Sequence, residues 1–156
     1  MIYKLSSLLS LALLFVACTP EGRIFSENQE LSPELEWLKE DARTFKVTID
    51  DASLAYDITL AFRYASGFQY NDAKVLVTET SPSGAEIQKE YSFHVRDENG
   101  EYIGEPAMDI WDSEHLVESK KTYSETGTYS YKIEHAMVND PMNFAMEIGM
   151  IVDKSK

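Results

Sequence analysis

The chain has 156 residues, with 14 lysines and arginines against 27 acids, a formal net charge of −13 and one cysteine. That length bounds it to one domain. The acid excess excludes nucleic acid, whose affinity comes from phosphates neutralised by Lys and Arg, and the lone cysteine excludes a disulfide framework, a Cys-based zinc site and a CxxC pair.

Residues 1–17 begin with Met-Ile-Tyr-Lys, continue as an apolar run from Leu5 to Val16, and end in Ala17. A short positive start, an apolar stretch and a small residue before a cut make a secretory signal. The run is shorter than the roughly 20 apolar residues of a transmembrane helix. It closes in Phe15-Val16-Ala17-Cys18. This resembles the bacterial lipobox, with Phe15 standing where leucine is usual. The resemblance implies that Cys18 is lipidated, by palmitate among other chains, and becomes the mature N-terminus. Acyl chains at about 0.8 kcal/mol per buried CH₂ would hold such a protein on a membrane. Residues 18–23 then read as the lipidated N-terminus and tether, and residues 24–156 as the folded domain.

Ser32-Pro33-Glu34-Leu35-Glu36-Trp37-Leu38 predicts a short helix, with Ser32 as cap, Pro33 in the first position and acids at the positive end. Beyond it period-two alternation dominates, as in strands with one buried face. Phe45, Val47 and Ile49 form the first run, and Tyr56, Ile58, Leu60, Phe62 and Tyr64 the second. Val75-Leu76-Val77 sits in a shorter run, and Tyr91, Phe93 and Val95 follow. Tyr129, Tyr131, Ile133, His135 and Met137 share one face, and Phe144, Met146, Ile148, Met150 and Val152 close the chain. Ser81-Pro82-Ser83-Gly84, Asp97-Glu98-Asn99-Gly100, Glu125-Thr126-Gly127 and Asn139-Asp140-Pro141 supply turn chemistry between them. Glu98–Lys121 is less regular and predicts short strands and loops. The pattern predicts an all-β, antiparallel sandwich, jelly-roll-like, of about eight strands.

Candidate chemistry is sparse. His94 falls on a polar face and His135 on an apolar one, where a hydrogen-bonded core histidine accounts for it better than a metal does. Asp97, Glu98, Asn99 and Glu101 lack the spacing of a calcium loop and read as an Asn-Gly turn with solvated acids. No HExxH, nucleophile elbow or phosphate loop is present. The expectation is a protein without enzymatic activity, cofactor, metal or small-molecule substrate. Asp109, Ile110, Trp111 and Asp112 alternate apolar and acidic character and form a candidate interaction surface. The competing reading is a glycan- or ligand-binding sandwich. It requires Trp111 and several of Tyr64, Tyr70, Tyr91, Tyr102, Tyr123 and Tyr129 to be exposed together.

Several segments carry a family resemblance in order and spacing. They are Arg23-Ile24-Phe25 with Glu27-Asn28, Tyr56-Asp57-Ile58 to Arg63, Tyr70-Asn71 to Val77, Pro82 with Gly84, and Gly100 to Gly104. Asp109-Ile110-Trp111-Asp112 and Thr126-Gly127-Thr128-Tyr129 leading to Ala136-Met137 are the most specific. The sequence resembles the GldH gliding-motility lipoproteins. That resemblance implies an envelope protein anchored to membrane by its N-terminal lipid, with partners in the gliding and associated secretion apparatus. Cys18-Thr19-Pro20-Glu21-Gly22-Arg23 lacks the acidic run that often follows the cysteine of surface-exported lipoproteins, so a periplasm-facing domain is expected.

Overall fold

A computed structural model describes residues 20–156; the expected signal sequence and Cys18 lie outside the described residues. Eleven strands follow in chain order: β1 Arg23–Glu30, β2 Glu36–Trp37, β3 Arg43–Ile49, β4 Ala55–Ala65, β5 Asp72–Thr80, β6 Glu86–His94, β7 Glu105–Ala107, β8 Ile110–Thr122, β9 Gly127–His135, β10 Met142–Asn143 and β11 Ala145–Lys154. They form a five-stranded sheet in the order β1-β11-β4-β8-β7, a four-stranded sheet in the order β3-β9-β5-β6, and the small pair β10-β2.

The pairing is nested. β5 pairs with β6, β4 with β8, β3 with β9 and β1 with β11, all antiparallel. Eight principal strands folded in this way are a jelly roll, as the alternation predicts, and β2, β7 and β10 are short additions.

Each inner face follows the period-two pattern. Tyr56, Ile58, Leu60, Phe62 and Tyr64 of β4 are all buried. They meet Phe45, Val47 and Ile49 of β3, Val75 and Val77 of β5, and Tyr129, Tyr131 and Ile133 of β9 in one apolar core. Phe62 centres an aromatic cluster, with Phe68 and Phe93 edge-on to it at 5.7 Å and Tyr64 stacked at 5.4 Å. Burying one such ring stabilises the fold by about 2–3 kcal/mol.

Three expectations are corrected. Residues 32–38 are not helical. The Leu35 amide closes a turn on Ser32 O at 3.0 Å, Leu35 takes a φ of 58°, and β2 follows. The Ser32 hydroxyl does receive the Glu34 amide at 3.2 Å, but one residue later the chain is pulled flat. Trp37 is wholly buried and pairs with Met142. Second, the irregular stretch up to Lys121 contains β8, at 13 residues the longest strand. Its inward positions include Ser113 and His115, and a register shift opposite Ile58 breaks its alternation. Third, the last strand does not keep one face from Phe144 onward. A bulge between Ala145 and Glu147 resets the register, so Ala145 is buried and Met146 only partly so.

Candidate functional site

The inner faces make the core, and the outer face of the five-stranded sheet carries the polar geometry. Its strands align Glu30 of β1 with Glu147 of β11, Glu147 with Arg63 of β4, Arg63 with Asp112 of β8, and Asp112 with Glu105 of β7. Five strands at about 4.8 Å spacing make this row about 19 Å long. It holds four carboxylates and, at its centre, one guanidinium.

Arg63 faces both neighbours. Its Nε and Nη2 donate to the two Asp112 oxygens at 2.6 and 3.0 Å, and Nη1 donates to Glu147 Oε1 at 2.6 Å. A two-pronged bond of this kind fixes orientation as well as charge. The bonds to Asp112 first, and then to Glu147, hold the guanidinium above its ordinary pKa against the opposing pull of burial. Glu105 and Glu114 have no cation within ion-pair distance among the described residues.

Beside the charged row runs a second one, Asn28-Gly149-Ala61-Glu114. Gly149 and Ala61 keep it low. A Cβ on Gly149 would run into the Asn28 side chain and come within 3.1 Å of the Ala61 methyl, so glycine is what lets Asn28 fold across β11. On the opposite side the loop Ile103–Glu105 rises over β8. Gly104 permits this with a φ of 130°, because a Cβ there would strike the Asp112 backbone. The Tyr64 hydroxyl pins the loop from beneath, lying 2.6 Å from Ile103 O and 3.0 Å from Val95 O. Burial pushes that phenol up to about 12. The result is a cavity of about 520 Å³ bounded by Asn28, Ala61, Arg63, Glu105, Glu114 and Glu147, a size within the roughly 300–1,000 Å³ of ligand pockets.

The expected surface Asp109-Ile110-Trp111-Asp112 is divided by the strand's own alternation. Asp112 joins the charged row. Trp111 points the other way, half-buried, its ring centroid 5.3 Å from that of Tyr102 and its indole N–H donating to Ser66 Oγ at 3.3 Å. Ile110 is half-buried at the strand's start. Asp109 is exposed in the β7–β8 turn, where its carbonyl accepts the Ser66 amide at 2.7 Å.

The aromatic residues required for glycan stacking are dispersed. Tyr64, Tyr123 and Tyr129 are buried, and Tyr70, Tyr91, Tyr102 and Trp111 pack against the core. His135 is buried and hydrogen-bonded, its Nδ1 accepting the Met137 amide at 3.3 Å. In the Asp97–Gly100 turn, Asp97 Oδ1 accepts the amides of Asn99 and Glu101, each at 2.9 Å. Those bonds hold its carboxyl below the usual range.

Sequence reasoning missed Arg63, Glu105, Glu114 and Glu147 as one group. A usable signal was present: Glu147 and Gly149 interrupt the apolar run of the last strand, and Arg63 is the one cation in β4.

Comparison with known proteins bears on identity. Residues 23–152 match the model of the GldH lipoprotein family. A gliding motility lipoprotein GldH homolog of Christiangramia forsetii is 23% identical over 142 residues, spanning 90% of this chain and 85% of that one. The solved structure of TmCBM61 in complex with β-1,4-galactotriose superposes with a TM-score of 0.30 at 14% identity, over 82% of this chain and 66% of that chain. The family match spans the principal strands up to Val152 of β11 and both rows of the outer face, and the chain belongs to the GldH lipoprotein family.

Proposed function

We propose that this chain is a non-enzymatic, lipid-anchored component of the gliding apparatus and its associated secretion machinery, which holds protein partners beside a membrane while facing the periplasm. Family membership supports the gliding role and the anchor. The observation that carries the protein-contact reading is the outer face of the five-stranded sheet. It is an open, charged surface with a cavity, held rigid by a four-stranded sheet packed behind it.

The anchor geometry supports the same reading. The chain joins the sandwich at Pro20, whose carbonyl accepts the Arg23 amide at 3.1 Å, and Gly22 O accepts the Lys154 amide at 2.8 Å. One residue separates Pro20 from Cys18, so a lipid on Cys18 holds the sandwich close against the bilayer. β1 then carries Asn28 about 17 Å beyond Arg23. That distance supports a cavity on the flank of the domain rather than at the headgroups.

Two measurements test the proposal. Cys18→Ser is expected to move the protein from the membrane to the soluble fraction; retention at the wild-type level would refute the anchor. Cross-linking the tagged full-length protein in its own membranes is expected to recover gliding or secretion components. Recovery of none of them would overturn the assignment to that apparatus.

A further inference from the structure

The partner's chemistry follows from the charge distribution on the same face, an inference that rests on the protein-contact reading above. Arg63 is already matched by Asp112 and Glu147. Glu105 and Glu114 therefore line the cavity with no ion-pair partner among the described residues, Arg23 acting on Glu114 only at longer range, and Glu30 extends the row at the β1 edge. The opposite outer face is different. Lys46, Lys74 and Lys132 are exposed there, each between two buried neighbours on β3, β5 and β9. Asp72, Glu86, Glu90 and Glu134 share that face with them, Glu134 paired to Lys132, so its charges nearly balance, whereas on the five-stranded sheet Glu30, Glu105, Asp112, Glu114 and Glu147 surround one Arg63.

We propose that this face docks a segment of a protein partner bearing lysine or arginine, with one cationic side chain entering the cavity between Glu105 and Glu114. A basic chain matches the uncompensated carboxylates, and complementary charge sets both encounter rate and register. The carboxylate row supplies further acceptors along the segment, and Asn28 offers an amide to its backbone. A second copy of this chain is a poor occupant, because two molecules at −13 each repel on approach. A glycan would meet no exposed aromatic platform here.

The test uses detergent-solubilised full-length protein and a fluorescent peptide of alternating lysine and threonine, with a glutamate–threonine peptide, a neutral oligosaccharide and calcium as competitors. Binding is read by anisotropy at about 50 mM NaCl. The lysine peptide is expected to bind, and Glu105→Gln/Glu114→Gln to weaken it by about tenfold or more. Glu86→Gln/Glu90→Gln removes the same charge from exposed positions of β6 and is expected to leave binding within about twofold. Equal weakening by both pairs would show attraction by bulk charge alone and overturn the site. So would displacement by calcium or the oligosaccharide, or concentration-dependent self-association that depends on Glu105 and Glu114. Absence of peptide binding, with gliding components still recovered by cross-linking, would refute this inference and leave the proposed function standing.

Discussion

His115 stacks on Phe93 with ring centroids 4.3 Å apart. Ser113 Oγ donates to Phe62 O at 3.1 Å and so accepts from His115 Nε2–H at 2.9 Å, an arrangement that suits the neutral imidazole. Burial, with a smaller contribution from His94, pushes His115 down to about 4, and burial also lowers His135. The unfolded chain takes up these protons near an ordinary pKa of about 6.5. Stability is therefore full above that pH and is lost as pH falls toward 4. The loss for His115 is on the order of 2 kcal/mol, given that each pKa unit corresponds to about 1.4 kcal/mol and the ring is only partly buried. Urea midpoints are expected to fall between about pH 7 and 4.5, and His115→Gln to shrink that fall. A wild-type midpoint that stays flat across the window would refute the assignment.

At the scale of elements, β8 is tied to β5 and β6 by charge as well as packing. Lys121 Nζ lies 2.8 Å from Glu79 Oε2 and 3.3 Å from Glu118 Oε2, with all three side chains at most 15% exposed. Glu118 also binds Lys89 and accepts the Tyr91 hydroxyl at 2.5 Å. Burial pulls the Lys121 ammonium down, but its bonds to Glu79 and Glu118 outweigh this and leave it raised. Lys121→Met would leave the sequestered Glu79 without a cation, while Glu118 keeps Lys89. Removing one partner of such a pair costs about 3–5 kcal/mol, measurable by urea unfolding. Adding Glu79→Gln is expected to restore part of the loss; a single-variant cost below about 1 kcal/mol would place the network in effectively solvated surroundings. The network also explains what sequence could and could not disclose. β4 and β9 were legible because large residues occupy alternate positions along each, all of them apolar or aromatic but for His135. β8 was not, since its inward face mixes Ser113 and His115 with Val117. β1 was missed because it is a polar edge strand. Ser32-Pro33-Glu34 carries signals shared by helix caps and turns, and the buried Trp37 decided between them. Of the site, only Asp112 was marked in advance, through the Asp-Ile-Trp-Asp pattern. Arg63 lies 49 residues from Asp112 and 84 from Glu147. Their row exists only across strands, through a register that no local pattern encodes.

For the whole molecule, two electrostatic effects oppose each other, and salt separates them. Exposed pairs such as Lys132–Glu134, 2.8 Å apart, contribute about 0–1 kcal/mol each and weaken on screening. Against them stands repulsion among 27 acids with only 14 lysines and arginines, which compaction intensifies. The jelly roll adds to that repulsion by aligning Glu30, Glu147, Asp112 and Glu105 across one sheet with a single Arg63 among them. Raising NaCl from about 50 mM to 500 mM shortens the screening length from over 10 Å to about 4 Å. That range spans the separations along the charged row, whereas the sequestered Lys121 network is screened far less. The thermal midpoint is therefore expected to rise with salt. Neutralising Glu105 and Glu114 to glutamine is expected to raise it at low salt and flatten the response. A midpoint that falls with salt would mean that the attractive pairs outweigh the repulsion. The acidic face would then be balanced within the molecule, and its demand for a basic partner would lose its physical ground.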